Sequence, residues 1–527
     1  MVYAPLPQIL RRAAVCKQET CLSVLQGFRS FTRGQHLLLA ETRFRPGFRP
    51  ASHKLESAQK FRNEMNWLQR PKGQGQMFCT EAASSSQESS AANSMIPRVS
   101  IADYSYELPP ERIAQYPLPL RDHARLFVFD PQQGMQHRFF YDLPSLLPPE
   151  SVLVGNDSRV IAARLLLRRA PPQTDSSPQA PCAARLVEVL CLEPIVPSTD
   201  PAVVLSCREP PVEWACWIGG RRVFPGLELR GEHLRARILE RAGQEGTVRF
   251  DWEPTTACLS FGELLEREGR TPLPPYLNRD DTPRDRSDYQ TVFARESGSV
   301  AAPTAGLHFS EELIKKHFEK RFIRFTLHVG AGTFAPVKAA DIGDHIMHRE
   351  RIIVRREQLV QLIRAVESAS PLVAVGTTTV RILESLYWYG SALCRPGAKR
   401  AHRGAAAAFD EHLSFVVEQW DPYVRSGDVP VEHALSAVLD VLERNRASEI
   451  HGYTSLIIVP GYSFRVVDAL ITNFHQPRST LLLLVAAFLP GGRETLFRIY
   501  HEALARSYRF LSYGDASLLW RKSVQGR

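Results

Sequence analysis

The chain has 527 residues, of which 44% are hydrophobic and 23% are charged, and its formal net charge is +9. This balance is typical of a globular protein with a sizeable core and excludes a fibrous or wholly disordered chain. The longest apolar run near the C-terminus covers only 481–489, whereas a bilayer requires roughly 20 residues, so we expect no transmembrane helix and no membrane partner. Nine cysteines without a CxxC pair argue against a disulfide framework and against a zinc knuckle.

The positive charge belongs to the N-terminal extension. Residues 1–98 hold 14 Lys+Arg against 6 Asp+Glu, a net charge of +8, which leaves +1 for residues 99–527. The Arg-rich, acid-poor start predicts a transit peptide for a plastid or a mitochondrion, and the Ser- and Ala-rich stretch 82–93 predicts a disordered linker. The alternative is a start at Met95 and a cytoplasmic protein. Because the body is nearly neutral, any nucleic acid must be held by a local patch.

Residues 99–163 and 256–520 have the pattern of one discontinuous α/β domain. Pro109 and Pro110 suit the start of a short helix. Leu126–Asp130 is a short β-rich run that predicts a buried strand, and Val152–Val160 has the form of a strand running into a polar turn.

Residues 164–255 have a different pattern. Short β-like runs recur there between turns and without intervening helices, at Leu186–Leu192, Val203–Ser206, Trp214–Ile218 and Gly246–Trp252. Closely spaced strands of this kind predict a small β-barrel or sandwich inserted into the α/β domain.

Helices and strands alternate after the inserted region. We predict helices over Phe261–Glu268 and Ser479–Phe488, and a strand over Leu456–Pro460. Leu372–Gly376 predicts a strand that meets a helix starting at Thr377, with threonine hydroxyls as its cap. Residues 391–450 read as an insertion that carries the amphipathic helix Glu432–Arg444, and we assign it no chemistry.

Two loops rich in Gly, Pro, Thr and His, Gly298–Phe309 and Thr326–Val337, suit close approach of the backbone to a ligand. We therefore predict the active site there. Histidines in and near these loops are candidates for general acids and bases, since imidazole titrates near neutrality. The alternative for each is a core histidine whose ring nitrogens bond to the backbone. The five candidates are His308, His328, His345, His348 and His475.

Eight segments together carry a resemblance to a known family. They are Asn156–Val160, Gly298–Phe309, Thr326–Phe334, His345–Glu350, Gly376–Arg381, Pro460–Tyr462, Thr472–Pro477 and Ser512–Ala516. In this order, over about 99–520, the chain resembles the S-adenosylmethionine:tRNA ribosyltransferase-isomerase family. It departs from the family pattern at Ser158, Ala163 and Thr379, where Thr, Pro and Ser are common.

The resemblance implies a mixed-sheet α/β domain with an inserted β-barrel. It also implies that the ribosyl part of S-adenosylmethionine is transferred to the aminomethyl-deazaguanine at the wobble position of tRNA, giving epoxyqueuosine with release of adenine and methionine. S-adenosylmethionine is then the ribosyl donor, tRNA is the partner, no metal is expected, and we expect a monomer.

The resemblance and the residue chemistry together suggest two further sets of site residues. No GxGxxG follows a strand, so a Rossmann-type cofactor site is disfavoured. For cofactor binding we predict Asp157, Arg159, Thr304, Gly306, Gly330, Gly332, Thr333 and Glu384. For tRNA binding we predict Arg381, Asn473, Arg478, Tyr513 and Asp515, with Tyr513 or Phe334 stacking on the base and Arg159 also contacting phosphate.

Each of these assignments has a structural alternative. The glycines can form tight turns between strands, each arginine can make an ion pair, and Asp157 with Arg159 can pair at a strand end. His345, His348 and Glu350 can also be read as metal ligands. Two other functions therefore stay open, a metal-dependent hydrolase that uses the histidine cluster and a non-catalytic tRNA-binding protein.

Overall fold

The computed structural model describes residues 96–170, 186–253, 259–334, 337–395, 413–425 and 427–523. The predicted transit peptide, the predicted linker and Met95 lie outside these residues. The strands, in chain order, are β1 Arg125–Asp130, β2 Gly134–Phe139, β3 Val152–Asn156, β4 Ser158–Val160, β5 Arg164–Arg169, β6 Leu186–Val196, β7 Val212–Gly219, β8 Glu228–Arg230, β9 Leu234–Ala242, β10 Glu245–Trp252, β11 Glu296–Ser299, β12 Phe322–His328, β13 Glu350–Arg355, β14 Leu372–Val375, β15 Ser414–Val417, β16 Glu449–Thr454, β17 Ala469–Asn473 and β18 Ala516–Trp520.

Helices of at least eight residues are numbered separately from the short helical turns. They are α1 Phe261–Glu268, α2 Arg356–Glu367, α3 Thr377–Leu393, α4 Val431–Arg444, α5 Thr480–Phe488 and α6 Gly492–Ala505. Short turns of α-, 3₁₀- or π-helix cover Ile101–Tyr104, Pro110–Arg112, Arg121–His123, Phe140–Asp142, Leu143–Leu146, Pro201–Ser206, Asp285–Asp288, Thr304–His308, Glu311–Leu313, Ile314–Phe318, Glu319–Arg321, Ala331–Phe334, Ile342–Asp344 and Asp421–Val424.

A mixed ten-stranded sheet forms the centre of the α/β domain, in the order β15-β16-β13-β12-β3-β14-β17-β18-β1-β2. Strands β12, β3, β14 and β17 run parallel, so their carboxyl ends share one edge. Strand β13 is antiparallel to β12, and β18 is antiparallel to β17, so both begin at that edge. Strand β4 lies outside this sheet and pairs with β11.

The inserted barrel is closed, in the order β10-β7-β6-β5-β8-β9. Side chains along β7 alternate between buried and partly exposed, as expected for a strand with one face in a core. Trp214, Phe250 and Trp252 pack there against Phe261 of α1, which closes one end of the barrel core. The predicted fold class, a mixed-sheet α/β domain with a small β-barrel, is confirmed.

Two predicted strands are wrong. Val203–Ser206 belongs to the helical turn Pro201–Ser206, because Pro201 suits a first helical position and the Asp200 carboxylate accepts the amide of Ala202 at 2.8 Å. Leu456–Pro460 is buried but extended outside the sheet. Side chains satisfy its amides instead, since Leu456 donates to Thr454 Oγ1 at 3.1 Å and Val459 to Tyr423 Oη at 2.9 Å. A short apolar run is buried whether it forms a sheet strand, a helical turn or an extended segment outside a sheet. Its sequence alone therefore does not distinguish these structures.

The predicted helices are confirmed. Helix α1 begins with a reciprocal capping box between Ser260 and Glu263. Helix α4 buries Leu435 and Val438 and packs on α3, which belongs to the same core cluster. In the described part of the chain no single helix is long and apolar enough to cross a membrane. Helices α5 and α6 meet that criterion only as a pair bent by 108°.

The predicted hydroxyl cap of α3 is wrong. The N-cap position is Gly376, at φ 92°, which has no side chain with which to cap. Thr379 sits in the first turn, and its hydroxyl donates back to the carbonyl of Val375 at 2.7 Å. The start of α3 is therefore left without a side-chain cap.

Candidate active site

The carboxyl edge of the central sheet gathers most of the predicted motifs. Asn156 ends β3 and Asp157 follows it, His328 ends β12, Gly376 follows β14, and Asn473 ends β17. In open α/β sheets ligands bind at this edge, where the strand order changes direction. Strand β3 is such a point, because β12 joins it on one side and β14 on the other.

Asn473 links the first predicted loop to the end of β17. Its amide oxygen accepts the hydroxyl of Thr304 at 2.9 Å, and its amide nitrogen lies 3.1 Å from His308 Nε2. That nitrogen also donates to the carbonyl of Leu511 at 3.2 Å, which fixes the orientation of the amide. His308 Nε2 is therefore the acceptor, and the neutral ring carries its proton on Nδ1.

Burial and two neighbouring cations, Arg509 and Arg121, lower the pKa of His308 to about 3. The ring lies 5.3 Å from that of Phe140. His308 is thus a neutral histidine at pH 7, held from one side by Asn473. This position suits a core histidine, because the ring is buried, and it also suits a residue that faces a ligand, because the ring adjoins the polar edge of the sheet.

His328 lies near the start of the second predicted loop, at the end of β12. Its Nδ1 lies 2.9 Å from the hydroxyl of Ser158, which is 2.6 Å from that of Ser299. Burial first, then the charge of Arg351, lowers its pKa to about 4. Gly298 packs directly on the ring: at φ 155°, a Cβ there would stand 2.8 Å from two ring atoms. The glycine is required for this close approach.

His475 is the third buried candidate. Its Nε2 lies 2.9 Å from Thr472 Oγ1, and its backbone amide donates to Tyr500 Oη at 3.0 Å. Tyr106 donates to its carbonyl. Burial lowers the pKa of the ring to about 4. These three contacts tie His475 into the protein.

His345 and His348 lie on the segment between the turn Ile342–Asp344 and β13, where solvent reaches them. His345 is half-buried and His348 is exposed. Burial, then the charge of His348, lowers the pKa of His345. Gly332 brings the second predicted loop to this pair, because a Cβ on it would stand 2.6 Å from His348 Cδ2.

Glu350 connects this segment to the glycine loop. One of its oxygens accepts the amide of Gly330 at 3.3 Å, and the other pairs with the guanidinium of Arg381. Arg381 is buried and also donates to the carbonyl of Leu456 at 3.0 Å. Its predicted phosphate contact has no support from this position, because a buried, fully paired guanidinium is not presented to a polynucleotide. Nothing stands within 4 Å of a Cβ built on Gly330, so its backbone faces open space.

Sequence reasoning missed Glu193, which β6 of the barrel supplies to this side of the sheet. Its pKa is raised to about 7 by surrounding protein and by repulsion from Glu350, against the attraction of Arg349. The residue as a whole is nevertheless exposed to solvent. No motif signals Glu193, because its relation to Glu350 exists only after the barrel has folded onto the sheet.

Two predicted cofactor carboxylates are hydrogen-bonded within the protein. Asp157 is buried and accepts the hydroxyl of Thr326 at 2.7 Å; burial raises its pKa and this bond opposes the rise. Glu384 is buried in the middle of α3. It accepts Tyr462 Oη at 2.8 Å and the amides of Arg465 and Val466 at 3.0 Å, which favours a structural role for it.

Three more predicted residues are buried and hold the fold. Gly306 packs against Phe293, Tyr513 donates to Asp285 at 3.1 Å, and Asp515 accepts the amides of Arg125 and Arg509 at 3.1 Å and 2.8 Å. Tyr513 therefore has no free face for a base.

The remaining predicted residues lie elsewhere. Arg159 and Arg478 are exposed at the surface. The backbone of Thr333 lies in the turn Ala331–Phe334. Over the described ranges, no three His, Cys, Asp or Glu side chains are grouped so that they can hold a metal ion.

The edge therefore presents two chemistries. Neutral, hydrogen-bonded imidazoles and the ion-paired Glu350 are buried there, whereas His345, His348 and Glu193 are reached by solvent. A neutral imidazole can take a proton, and carboxylates in a partly desolvated cleft attract a cation. Fold and site together define a mixed-sheet α/β protein with an inserted barrel and a candidate ligand site at the carboxyl edge of its sheet.

Comparison with known proteins agrees with this class. The model of the queuosine biosynthesis protein family matches residues 101–409 and 431–519. The S-adenosylmethionine:tRNA ribosyltransferase-isomerase of Xanthomonas oryzae pv. oryzae is 37% identical over 425 residues, which are 80% of this chain and 97% of that protein. The protein of the same name from Aromatoleum aromaticum is 38% identical over 429 residues, 81% of this chain and 99% of that protein.

A solved structure, that of the S-adenosylmethionine tRNA ribosyltransferase from Thermotoga maritima, is 30% identical, covers 79% of this chain and 99% of that chain, and has a TM-score of 0.36. The chain belongs to the queuosine biosynthesis protein family. The family model leaves 410–430 unmatched, inside the insertion that we predicted at 391–450, and the limits of that insertion stay a prediction.

Proposed function

We propose that this protein transfers and isomerises the ribosyl group of S-adenosylmethionine onto the aminomethyl-deazaguanine at the wobble position of tRNA. The products are epoxyqueuosine in the tRNA, adenine and methionine. One observation carries the proposal: segments of a chain that belongs to this family, far apart in sequence, meet at one edge of the central sheet. The names of the relatives agree with this function and do not favour a hydrolase or a binding-only protein.

The open part of the edge suits the proton transfers. The reaction needs a base for the carbon next to the sulfonium and an acid for the departing adenine. His345 and His348 adjoin each other, and both are reached by solvent, so they can exchange protons with a bound substrate. We assign the base to this pair and the attraction of the sulfonium to Glu193 and Glu350.

The buried part of the edge suits positioning. Asn473 holds both Thr304 and His308, and through them the loop that covers the ends of β14 and β17. A group held on several sides keeps its orientation when a substrate binds, which is the condition for effective preorganisation. We assign His308, His328 and His475 to this role.

The tRNA partner requires exposed cations and access to one base. Arg159 and Arg478 are exposed and can neutralise phosphates, while the modified base enters the cleft as a splayed nucleotide. We further propose that the protein acts as a monomer, which its mass in solution tests. Import into an organelle remains part of the proposal, and uptake of a tagged full-length chain by isolated plastids and mitochondria tests it.

The decisive assay mixes the protein with tRNA bearing the aminomethyl base and with S-adenosylmethionine labelled in either the ribosyl or the methyl group. Ribosyl label should enter the tRNA, with adenine released. Methyl label in the tRNA, or absence of ribosyl label, contradicts the proposal. Transfer that survives exhaustive chelation excludes the metal-dependent hydrolase, and adenine release excludes a binding-only protein. A tRNA with unmodified guanine at the wobble position is the control.

A further inference from the structure

The start of α3 presents hydrogen-bond donors that nothing in the described part of the chain satisfies. The first amide of the helix to find a partner is that of Val380, which bonds to the carbonyl of Gly376 at 3.3 Å. The amides of Thr377, Thr378 and Thr379 make no hydrogen bond to any described residue. A helix start normally leaves such amides to a side-chain cap, and here the cap position is a glycine.

Two threonine hydroxyls add to these amides. Thr378 Oγ1 is buried and has no hydrogen-bond partner among the described residues. Thr377 is only 7% exposed, and its hydroxyl likewise makes no bond within the described ranges. Thr379 differs, because its hydroxyl is used by the carbonyl of Val375. A buried hydroxyl without a partner is unfavourable, so Thr378 Oγ1 indicates that a ligand completes the site.

These donors face the candidate active site. Thr378 Oγ1 lies 3.5 Å from a Cβ built on Gly376, so this hydroxyl points back towards the start of the helix. Ala305, in the loop that Asn473 holds, lies 3.6 Å from the same position. Strand β14, which leads into Gly376, pairs with β17, which ends at Asn473. The unsatisfied donors thus lie under the Thr304–His308 turn, at the edge where the motifs meet.

Helix starts favour negative charge, because amide N–H groups point outwards and the helix dipole is positive there. Hydroxyls that donate alongside these amides complete a cradle for oxygen atoms rather than for an aromatic ring or a cation.

We propose that Gly376, Thr377 and Thr378 form an oxyanion subsite of the active site. The inference rests on the proposed function, whose substrates offer two oxyanions: the carboxylate at the amino-acid end of S-adenosylmethionine and a phosphate of the tRNA. An anion held here and a sulfonium held near Glu350 would orient one substrate between opposite charges.

The test uses Thr377→Val and Thr378→Val, which remove a hydroxyl and keep the side-chain shape, in the full-length protein. Thr379→Val is the matched control, because its hydroxyl belongs to the same helical turn but bonds to Val375. Calorimetry measures the Kd of S-adenosylmethionine, of its decarboxylated form, of tRNA and of inorganic phosphate. A hydrogen bond to a charged group is worth about 1.5–3 kcal/mol, so the affected ligand should bind about 10-fold or more weakly to either variant.

The outcomes separate the two sources. Weaker binding of S-adenosylmethionine with unchanged binding of the decarboxylated form assigns the subsite to the carboxylate. Weaker tRNA binding with a smaller salt dependence assigns it to a phosphate. Unchanged Kd values for all four ligands, or equal losses in Thr379→Val, overturn the subsite.

Inorganic phosphate makes this test independent of catalysis. If the wild-type protein transfers no ribosyl group but the two variants lose phosphate binding, the proposed function fails and the oxyanion subsite stands. If transfer proceeds and the variants behave as wild type, the subsite alone fails.

Discussion

Two groups of histidines at one sheet edge differ in almost every physical respect. His308, His328 and His475 are buried, each within 3.1 Å of a hydrogen-bonding side chain, and their pKa values are lowered to about 3, 4 and 4. His345 and His348 lie on a segment that solvent reaches. The first group is built into the protein, and the second is available to a substrate.

The difference teaches that a histidine in a family motif need not be a proton carrier. Desolvation penalises the imidazolium form, so a buried ring serves as a neutral hydrogen-bond partner. A ring that solvent reaches can exchange protons with water or with a bound substrate. The sequence does not distinguish the five histidines. Their burial and their hydrogen-bond partners in the folded protein do.

The largest expected effect is on turnover, at the accessible pair. His345→Ala should lower kcat by about 10²–10⁴, the usual contribution of a general base, with little change in thermal stability. Steady-state release of adenine measures kcat, and the melting temperature checks the fold. His501→Ala, an exposed histidine on α6, is the control and should behave as wild type. Unchanged turnover in His345→Ala would remove the distinction between the two groups.

The next largest expected effect is a loss of stability when a buried arginine is replaced. It compares the buried Arg381 with the exposed Arg159. Arg381→Met leaves the Glu350 carboxylate buried without its partner, which should cost about 3–5 kcal/mol of the free energy of unfolding. The salt dependence of tRNA binding should stay the same. Arg159→Ala, at an exposed position, should instead keep its stability and reduce the salt slope by about 1. Urea unfolding and tRNA titrations at several salt concentrations measure both, and the opposite pattern would restore Arg381 as a phosphate contact.

A smaller effect tests the positioning role of His308. His308→Ala leaves the amide nitrogen of Asn473 with one partner fewer in a buried place, which should cost about 1–3 kcal/mol of stability and lower turnover. His308→Gln supplies an amide oxygen that can accept the same hydrogen bond. It should recover most of both losses and keep the wild-type pH profile of kcat. Failure of glutamine to restore turnover, with the fold intact, would make His308 a catalytic residue.

The last effect is on the pH dependence of stability. The unfolded chain binds a proton at each buried histidine below pH 6.5, whereas folded His328 and His475 bind theirs only near pH 4. Stability is therefore complete above pH 6.5 and falls as the pH decreases towards 4, by up to about 1.4 kcal/mol per pH unit for each histidine. Urea unfolding between pH 5 and 7 measures the slope.

His475→Gln supplies the comparison for that slope. It removes one titrating ring, so the slope should become shallower by the share of one histidine. The raised pKa of Glu193 changes stability with pH in the opposite sense. Because Glu193 is present in both proteins, its contribution cancels when the two slopes are compared. An unchanged slope would mean that His475 is not neutral in the folded protein.

Local patterns predicted much of the fold. The alternation along β7, the run that forms α5 and the amphipathic face of α4 were all readable, because strand and helix periods appear directly in the order of residues. Prediction failed at Val203–Ser206 and Leu456–Pro460. Both are short apolar runs, and there a capping carboxylate and side-chain acceptors from other parts of the chain decide the backbone conformation.

The sequence predicted where the candidate site lies but not what each of its residues does. The loops and histidines were found from their composition, yet Glu384 and Tyr513 proved to be fully engaged in the fold. Glu193 was missed, because it comes from the barrel. The threonines at the start of α3 were predicted as caps, whereas Thr379 donates back to Val375 and Thr378 Oγ1 has no partner among the described residues.

The sequence by itself determined the classes of secondary structure, the inserted barrel and the family, because periodicity and motifs are properties of neighbouring residues. The tertiary structure alone decided which histidine is buried, which carboxylate is paired and which helix start is left open. Those properties depend on burial and on charges contributed by segments that lie far apart in the chain. The ion pair between Glu350 of β13 and Arg381 of α3 is an example. They come into existence only when the strands assemble at a common edge.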